Sequence, residues 1–274
     1  MLTVAVCILL VYRFRDAPST AGAIGLGAVL GAMALSRSEL IAVSVLVVVP
    51  AILGRTQVPL AKRVAWLAGA GAVCVLMILP WFAFNLTRYD EPVPLSVGMG
   101  PAMVQGNCDP TYSGELLGYY AFGCVLWVPD LSADDSVSDQ QLRERAISYM
   151  EERPGRAVIV SMARVGRAFN VYRPLQQAEL ETERGSALWL TRSAMVAYWV
   201  LVPLAIGGAV LARRRSIALY PLLAFPLIVV VAVLPTIGAV RYRAVAEVPL
   251  VLLAAITVEH LIRHWGAANR ARAA

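Results

Sequence analysis

The stretch VAWLAGAGAVCVLMILPWFAF, residues 64 to 84, runs for 21 positions without one charged side chain. A helix of that length crosses a hydrocarbon layer about 30 Å thick and satisfies its backbone amides within the segment. Single apolar runs of this kind set the class of the chain, and more of them lie on either side. Upstream, MLTVAVCILLVY (1–12) ends at RFRD and reads as the tail of a membrane helix whose beginning is expected further upstream. It lacks the basic start and small-residue cleavage site of a signal peptide. Ala17 to Leu35 is rich in glycine and alanine, which favours close helix–helix packing in lipid. A shorter apolar segment runs from Leu40 to Leu53. Downstream, apolar runs cover about 193–212, 217–237 and 244–262. The expected fold is mainly α, a polytopic transmembrane bundle of about six to seven spans.

Composition agrees. The 274 residues are 59% hydrophobic and 15% charged, with mean hydropathy +0.67; soluble domains carry about 25% charge. Of 24 basic residues only Lys62 is a lysine, and the net charge is +6. The arginines collect in short loops between apolar runs, so they report topology and not nucleic-acid binding. Residues 85–186 are polar and broken by prolines. Three units are therefore expected: membrane helices over 1–84, an extracytoplasmic α-rich domain over 85–186, and membrane helices with a short cytoplasmic tail over 187–274.

Basic residues in short loops favour the cytoplasmic side. One alternating set holds eleven of them: Arg13, Arg15, Arg55, Lys62, Arg63, Arg213 to Arg215, Arg263, Arg270 and Arg272. The other set holds three, Arg37, Arg241 and Arg243. These three belong to the outer side, where cations are scarce, and a charge near an apolar run is costly. Two readings stand for the last pair. Arg243 and Glu247 are one helical turn apart and form a natural ion pair; alternatively, both arginines hold an anionic group of a substrate.

In the polar domain, Cys108 and Cys124 either bridge in an oxidising compartment or remain free thiols. A bridge closing a loop of roughly 15 residues is worth about 3 kcal/mol in the chain-entropy model. No histidine lies in the domain, and no metal site is expected. The spacing predicts a helix capped by Ser138 with Gln141 three residues on, stopped at Pro154-Gly155. A second helix follows, with Val158, Met162, Val165 and Phe169 on one stripe beside Arg164 and Arg167. It is expected to lie flat at the bilayer surface with its basic face outward. Asp134, Asp135 and Asp139 read as a solvated loop.

Four stretches resemble the membrane-embedded glycosyltransferases of the GT-C class, and among them the protein O-mannosyltransferase and aminoarabinose transferase-like group (family 39-like). GLGAVLGAMALSRSELIAVSVLVVVP is similar to a G-L-x-x-L-T-R-x-E helix–turn–helix, with Ser36 where threonine is usual. ILPWFAFNLTRYDEPVPLSVGMG resembles a P-W-x-x-R-N span exit, with Phe84 in the arginine position. GNCDPTYSGELLGYYAFGC is similar to an outer-loop motif. VRYRAVAEVPLVLLAA resembles the last-helix R-Y-R-x-P-x-x-P signature, with Val245 for the first proline.

The resemblance implies transfer of a sugar from a polyprenyl-phosphate donor to an acceptor on the outer face of a bacterial cytoplasmic membrane, without a cofactor. It implies that Arg37, Arg241 and Arg243, with Glu39 beside them, bind the donor. The planar guanidinium suits a phosphate bidentately. The family's catalytic carboxylate belongs to a first outer loop, which is expected upstream of Met1. Glu39, Asp109 and Glu115 are the outer-side candidates to stand in for it. Asp109 is the best of them, although an Asp before Pro110 also simply shapes a turn. A transporter or flippase of lipid-linked or anionic solutes, and a membrane scaffold working with a partner subunit, are the competing readings.

Overall fold

The computed structural model describes residues 1–273, and the side chains of all of these except 183, 184 and 266–273. It is helical, with no strand among the described residues. The elements run α1 (Leu2–Asp16), α2 (Thr20–Ser36), α3 (Ser38–Leu53), α4 (Leu60–Leu86), α5 (Met99–Gly106), α6 (Asp109–Tyr112) and α7 (Gly123–Leu126). They continue with α8 (Asp135–Glu151), α9 (Pro154–Ala168), α10 (Pro174–Leu180), α11 (Leu188–Arg214), α12 (Tyr220–Val233) and α13 (Ala244–Ala273).

Among the described residues three helices are long and apolar enough to cross a membrane: Leu60–Leu86, Leu188–Arg214 and Val240–Trp265. Their surfaces carry exposed Val75, Leu76, Val200, Ile206 and Val251. Apolar faces of that extent belong in lipid and not in water. The chain is thus a membrane protein. The segments expected around Ala17–Leu35, Leu40–Leu53 and 217–237 form shorter helices, Thr20–Ser36, Ser38–Leu53 and Tyr220–Val233.

Ser38–Leu53 is also irregular, passing from a 3₁₀ turn (Ser38–Ala42) through a π turn (Ser44–Val48) into a short α segment (Val49–Leu53). Pro50 provides the reason, because it has no N–H to donate and its ring crowds the carbonyl four residues back. The run expected over 217–237 stops at Val233, where Pro235 prevents continuation.

Close packing follows the small residues. A Cβ on Gly27 would lie 2.2 Å from the carbonyl oxygen of Ala70, and one on Gly208 would lie 1.8 Å from that of Leu253. Only glycine lets α2 approach α4, and α11 approach α13, so nearly. The membrane core buries Val4, Leu26, Met33, Ile52, Phe225 and Val233 between these helices.

Between α4 and α11 in the chain lies a small domain with its own core of Met103, Val104, Cys124, Leu142 and Ala146. Cys108 and Cys124 are disulfide-bonded beside it. Three sequence expectations are corrected here. First, α8 is capped by Asp134, not Ser138: the Asp134 carboxylate accepts from Ser136 N at 2.9 Å and Val137 N at 3.2 Å. A carboxylate at that position also meets the positive end of the helix. Second, Asp139 is buried and not part of a solvated loop. Its Oδ1 accepts from the backbone N–H groups of Gly98 at 2.7 Å and Gly100 at 2.8 Å. Third, α9 has its arginines inward: Arg164 and Arg167 are 0% exposed, while Val158 and Met162 are 61% and 59% exposed.

The reason for that inversion is a set of carbonyls. Arg164 donates to Leu234 O at 2.7 Å, Gly106 O at 2.5 Å and Asn107 Oδ1 at 2.7 Å. Arg167 donates to Leu117 O and Glu115 O, both at 2.6 Å, with the Tyr119 and Tyr172 rings close by. The loop after α12 and the segments around α5 and α6 present oxygens that need donors, and α9 supplies them. Burial pulls Arg164 and Arg167 down to about 10, so both remain cationic at neutral pH.

Candidate functional site

Arg37 caps the C-terminus of α2 in an extended conformation, which turns its side chain out of the helix axis. Arg241 sits 204 positions later in a 3₁₀ turn, Val240–Arg243, that follows extended Ala239. The two segments of this corner meet: Arg37 Nη1 donates to Arg241 O at 3.5 Å. The Tyr242 ring lies near both guanidinium groups, with Cζ of Arg37 at 5.3 Å and Cζ of Arg241 at 5.5 Å from its centroid. Glu39 holds Arg37 through a single oxygen, at 2.6 Å from Nη2 and 2.7 Å from Nε.

Arg37, Glu39, Arg241 and Tyr242 line a cavity of about 670 Å³. Ser36, Ser38, Ser96 and Thr236 add hydroxyl groups to its wall. The roof is the segment 95–99. It hangs from α4 by Trp81 Nε1 to Leu95 O at 2.5 Å and by Asn85 Nδ2 to Val93 O at 2.9 Å. Its far end is fixed by the Asp139 carboxylate at the N-terminus of α5. Beside the cavity, sharing Leu35, an apolar groove of about 510 Å³ is lined by Leu35, Met77, Pro80 and Trp81. A charged chamber thus adjoins an apolar trough.

The cavity wall carries two guanidinium groups and one carboxylate, which leaves one positive charge in excess. Arg241 has no carboxylate partner among the described residues, whereas Arg37 is held by Glu39. Such a wall suits an anion with two or three acceptor oxygens. Glu39, the one acid among the described residues lining the cavity, is engaged by Arg37 through Oε1. Among the described residues no cluster of three metal-ligating side chains occurs.

The remaining sequence candidates lie elsewhere. Arg243 is 4% exposed at its side chain, paired with Glu247 at 3.1 Å. Its Cζ stands 3.6 Å from the Tyr198 ring centroid, and Nη1 reaches Ala168 O at 3.5 Å. It does not line the large cavity; it lines a smaller one of about 240 Å³, which Arg241 also borders. Asp109 lines a third pocket of about 170 Å³, with the Cys108–Cys124 disulfide, Trp127, Arg145 and Tyr149. There its Oδ1 accepts from Tyr149 Oη at 2.6 Å. Burial, reinforced by that bond, pushes the Tyr149 hydroxyl well above its ordinary value. Glu115 contributes its backbone oxygen to Arg167 and Arg173.

Three contributors are given no role at this site by the sequence reading. Tyr242 stands between the two arginines of VRYR, and an aromatic flanked by cations is the available signal. Asp139 and Asn85 act through backbone partners 8 to 41 residues away, for which sequence carries no local mark. No family model, curated protein or solved structure matches the chain.

Proposed function

We propose that this chain serves a membrane glycosyltransferase reaction, holding a polyprenyl-phosphate-linked sugar for transfer to an acceptor on the outer face of a bacterial cytoplasmic membrane. One observation carries the reading: Arg37 and Arg241 converge on one cavity that opens beside an apolar groove. A lipid phosphate needs that pairing, cations for the headgroup and a hydrocarbon trough for the chain. In this reading about six to seven segments cross the bilayer and residues 85–186 face outward. The exposed stripe of α9, Val158, Ile159 and Met162, then rests at the lipid surface.

In the transfer step the bond between sugar and phosphate breaks as the acceptor oxygen bonds to the sugar. Negative charge grows on the departing phosphate, and Arg241 and Arg37 stabilise it in place. The acceptor must lose a proton, and the one acid among the described residues lining the cavity, Glu39, is tied to Arg37. A membrane partner subunit that brings a free carboxylate fits this gap.

The test uses undecaprenyl phosphate as probe with the full chain in lipid nanodiscs. Arg241→Gln and Arg37→Gln each remove a charged hydrogen-bond donor, worth about 1.5–3 kcal/mol, or roughly 10- to 150-fold in affinity. Retention of the probe equal to wild type in both variants defeats the reading.

A further inference from the structure

The smaller cavity, about 240 Å³, shares Arg241 with the large one and is bordered by both Arg241 and Arg243. Asn170 also lines it. This residue is 4% exposed, and its side-chain amide has no hydrogen-bond partner among the described residues. Only its backbone is engaged, its N–H donating to Arg167 O and its carbonyl accepting from Trp199 Nε1. The amide is open to the cavity, so its donor and acceptor are available to a ligand there.

The rest of the wall defines the chemistry. Two cations face one acid: Glu181 lines the cavity too, and its carboxylate accepts from Gln177 Nε2 at 3.1 Å. Arg243 is neutralised by Glu247, while Arg241 carries no carboxylate. The space falls below the roughly 300 Å³ at which pockets for drug-sized ligands begin. That admits a phosphate with a few hydroxyl-bearing carbons and is too small for a nucleotide.

We propose that this cavity is a second binding site, for a glycerophosphate group, in which Arg241 meets the phosphate and the Asn170 amide meets a hydroxyl or a phosphate oxygen. The site stands apart from the transfer reading above, since neither Arg37 nor Glu39 borders it. Arg241 is a common wall of the two cavities, so a ligand in one draws on the cation available to the other.

The test compares the wild-type full chain with Asn170→Asp and Asn170→Gly. Asn170 has φ +53°, a conformation that Asp and Gly both tolerate. Asp adds a negative charge, and Gly deletes the amide, so the two variants separate misfolding from lost recognition. Glycerol 3-phosphate is titrated in detergent, and phosphatidylglycerol retention is read by native mass spectrometry. Weakening of glycerol 3-phosphate binding by about tenfold in both variants, with Arg37→Gln unaffected, supports a free phosphate ester. Loss of bound phosphatidylglycerol in both variants, with no binding of the free ester, supports a lipid headgroup. No retention of either probe by wild type, or equal retention by the variants, overturns the proposal. Failure of the undecaprenyl phosphate experiment leaves these outcomes unchanged.

Discussion

Replacing Arg164 by Met tests whether an inward-facing cation holds the polar domain on the membrane helices. The side chain makes three charged hydrogen bonds, to Leu234 O, Gly106 O and Asn107 Oδ1. At about 1.5–3 kcal/mol each these contribute roughly 5–9 kcal/mol. Against that stands the cost of burying the guanidinium. Its fall from 12.5 to about 10 corresponds to about 3 kcal/mol. The acceptors are not orphaned by the substitution: Ser161 Oγ also serves Leu234 O, Thr111 Oγ1 serves Gly106 O, and Tyr112 Oη serves Asn107 Oδ1. The net expectation is a loss of about 2–6 kcal/mol, since Met restores packing but no donor.

The assays are thermal unfolding in detergent and hydrogen exchange around Leu234 to Ala239. That loop should lose protection first, because Arg164 and Ser161 both grip its start. Arg164→Lys is the sharper control. It keeps the charge, but a single ammonium cannot reach acceptors contributed by α5, the turn after it and the loop after α12. It should destabilise about as much as Met. A Met variant as stable as wild type, or a Lys variant that fully rescues, refutes the assignment of a planar clamp.

Two further outcomes follow from the same geometry. Gly100→Ala places a Cβ 2.1 Å from Asp139 O, so α5 must lift off α8; the expected loss is about 1–3 kcal/mol in thermal unfolding, with weaker undecaprenyl phosphate retention because the cavity roof moves. Asp134 is held below its ordinary value chiefly by the Ser136 hydroxyl and then by backbone N–H groups, so its cap is present above pH 3.8 and is lost as pH falls through its lowered folded value. Exchange of the Ser136 and Val137 amides should therefore accelerate on acidification in wild type relative to Asp134→Asn at the same pH, and identical profiles would count against the cap.

The membrane class is legible in residues 64–84, because little besides a membrane helix accommodates so long an uncharged run. Helix ends are less so. Pro50 distorts α3 through a carbonyl clash, and Pro235 ends α12, yet the apolar pattern continues through both positions. The direction of α9 is hidden for a different reason. Its hydrophobic stripe and its arginines occupy distinct faces, but periodicity says only that the faces differ, not which of them is covered. That depends on Leu234, Gly106 and Leu117 offering carbonyls, which no residue type announces. At the candidate site, Arg37 and Arg241, which the charge pattern singles out in sequence, line one cavity. It does not separate them from Arg243, because the i,i+4 pairing with Glu247 is visible in sequence while the Tyr198 ring beside it is not.

The arginines of this chain divide by what holds them, and that division orders their roles. Arg164 and Arg167 are held by carbonyls and amides, and Arg243 by a carboxylate, an aromatic face and Ala168 O. Arg164 keeps only a buried Nε without a partner. Such groups have little capacity left for a ligand, and their removal should be felt first as instability. Arg37 is intermediate, since Glu39 occupies two of its donors through one oxygen. Arg241 differs from all four: among the described residues its guanidinium meets only the Tyr242 ring, and it borders two cavities. Arg241 is exposed and has no carboxylate partner among the described residues, so its donors are available to an anionic group. Under the proposed function Arg241 therefore ranks ahead of Arg37, and Arg37 ahead of Arg243, as a determinant of phosphate binding. The ranking for stability runs in the opposite order, with Arg164 and Arg167 at its head.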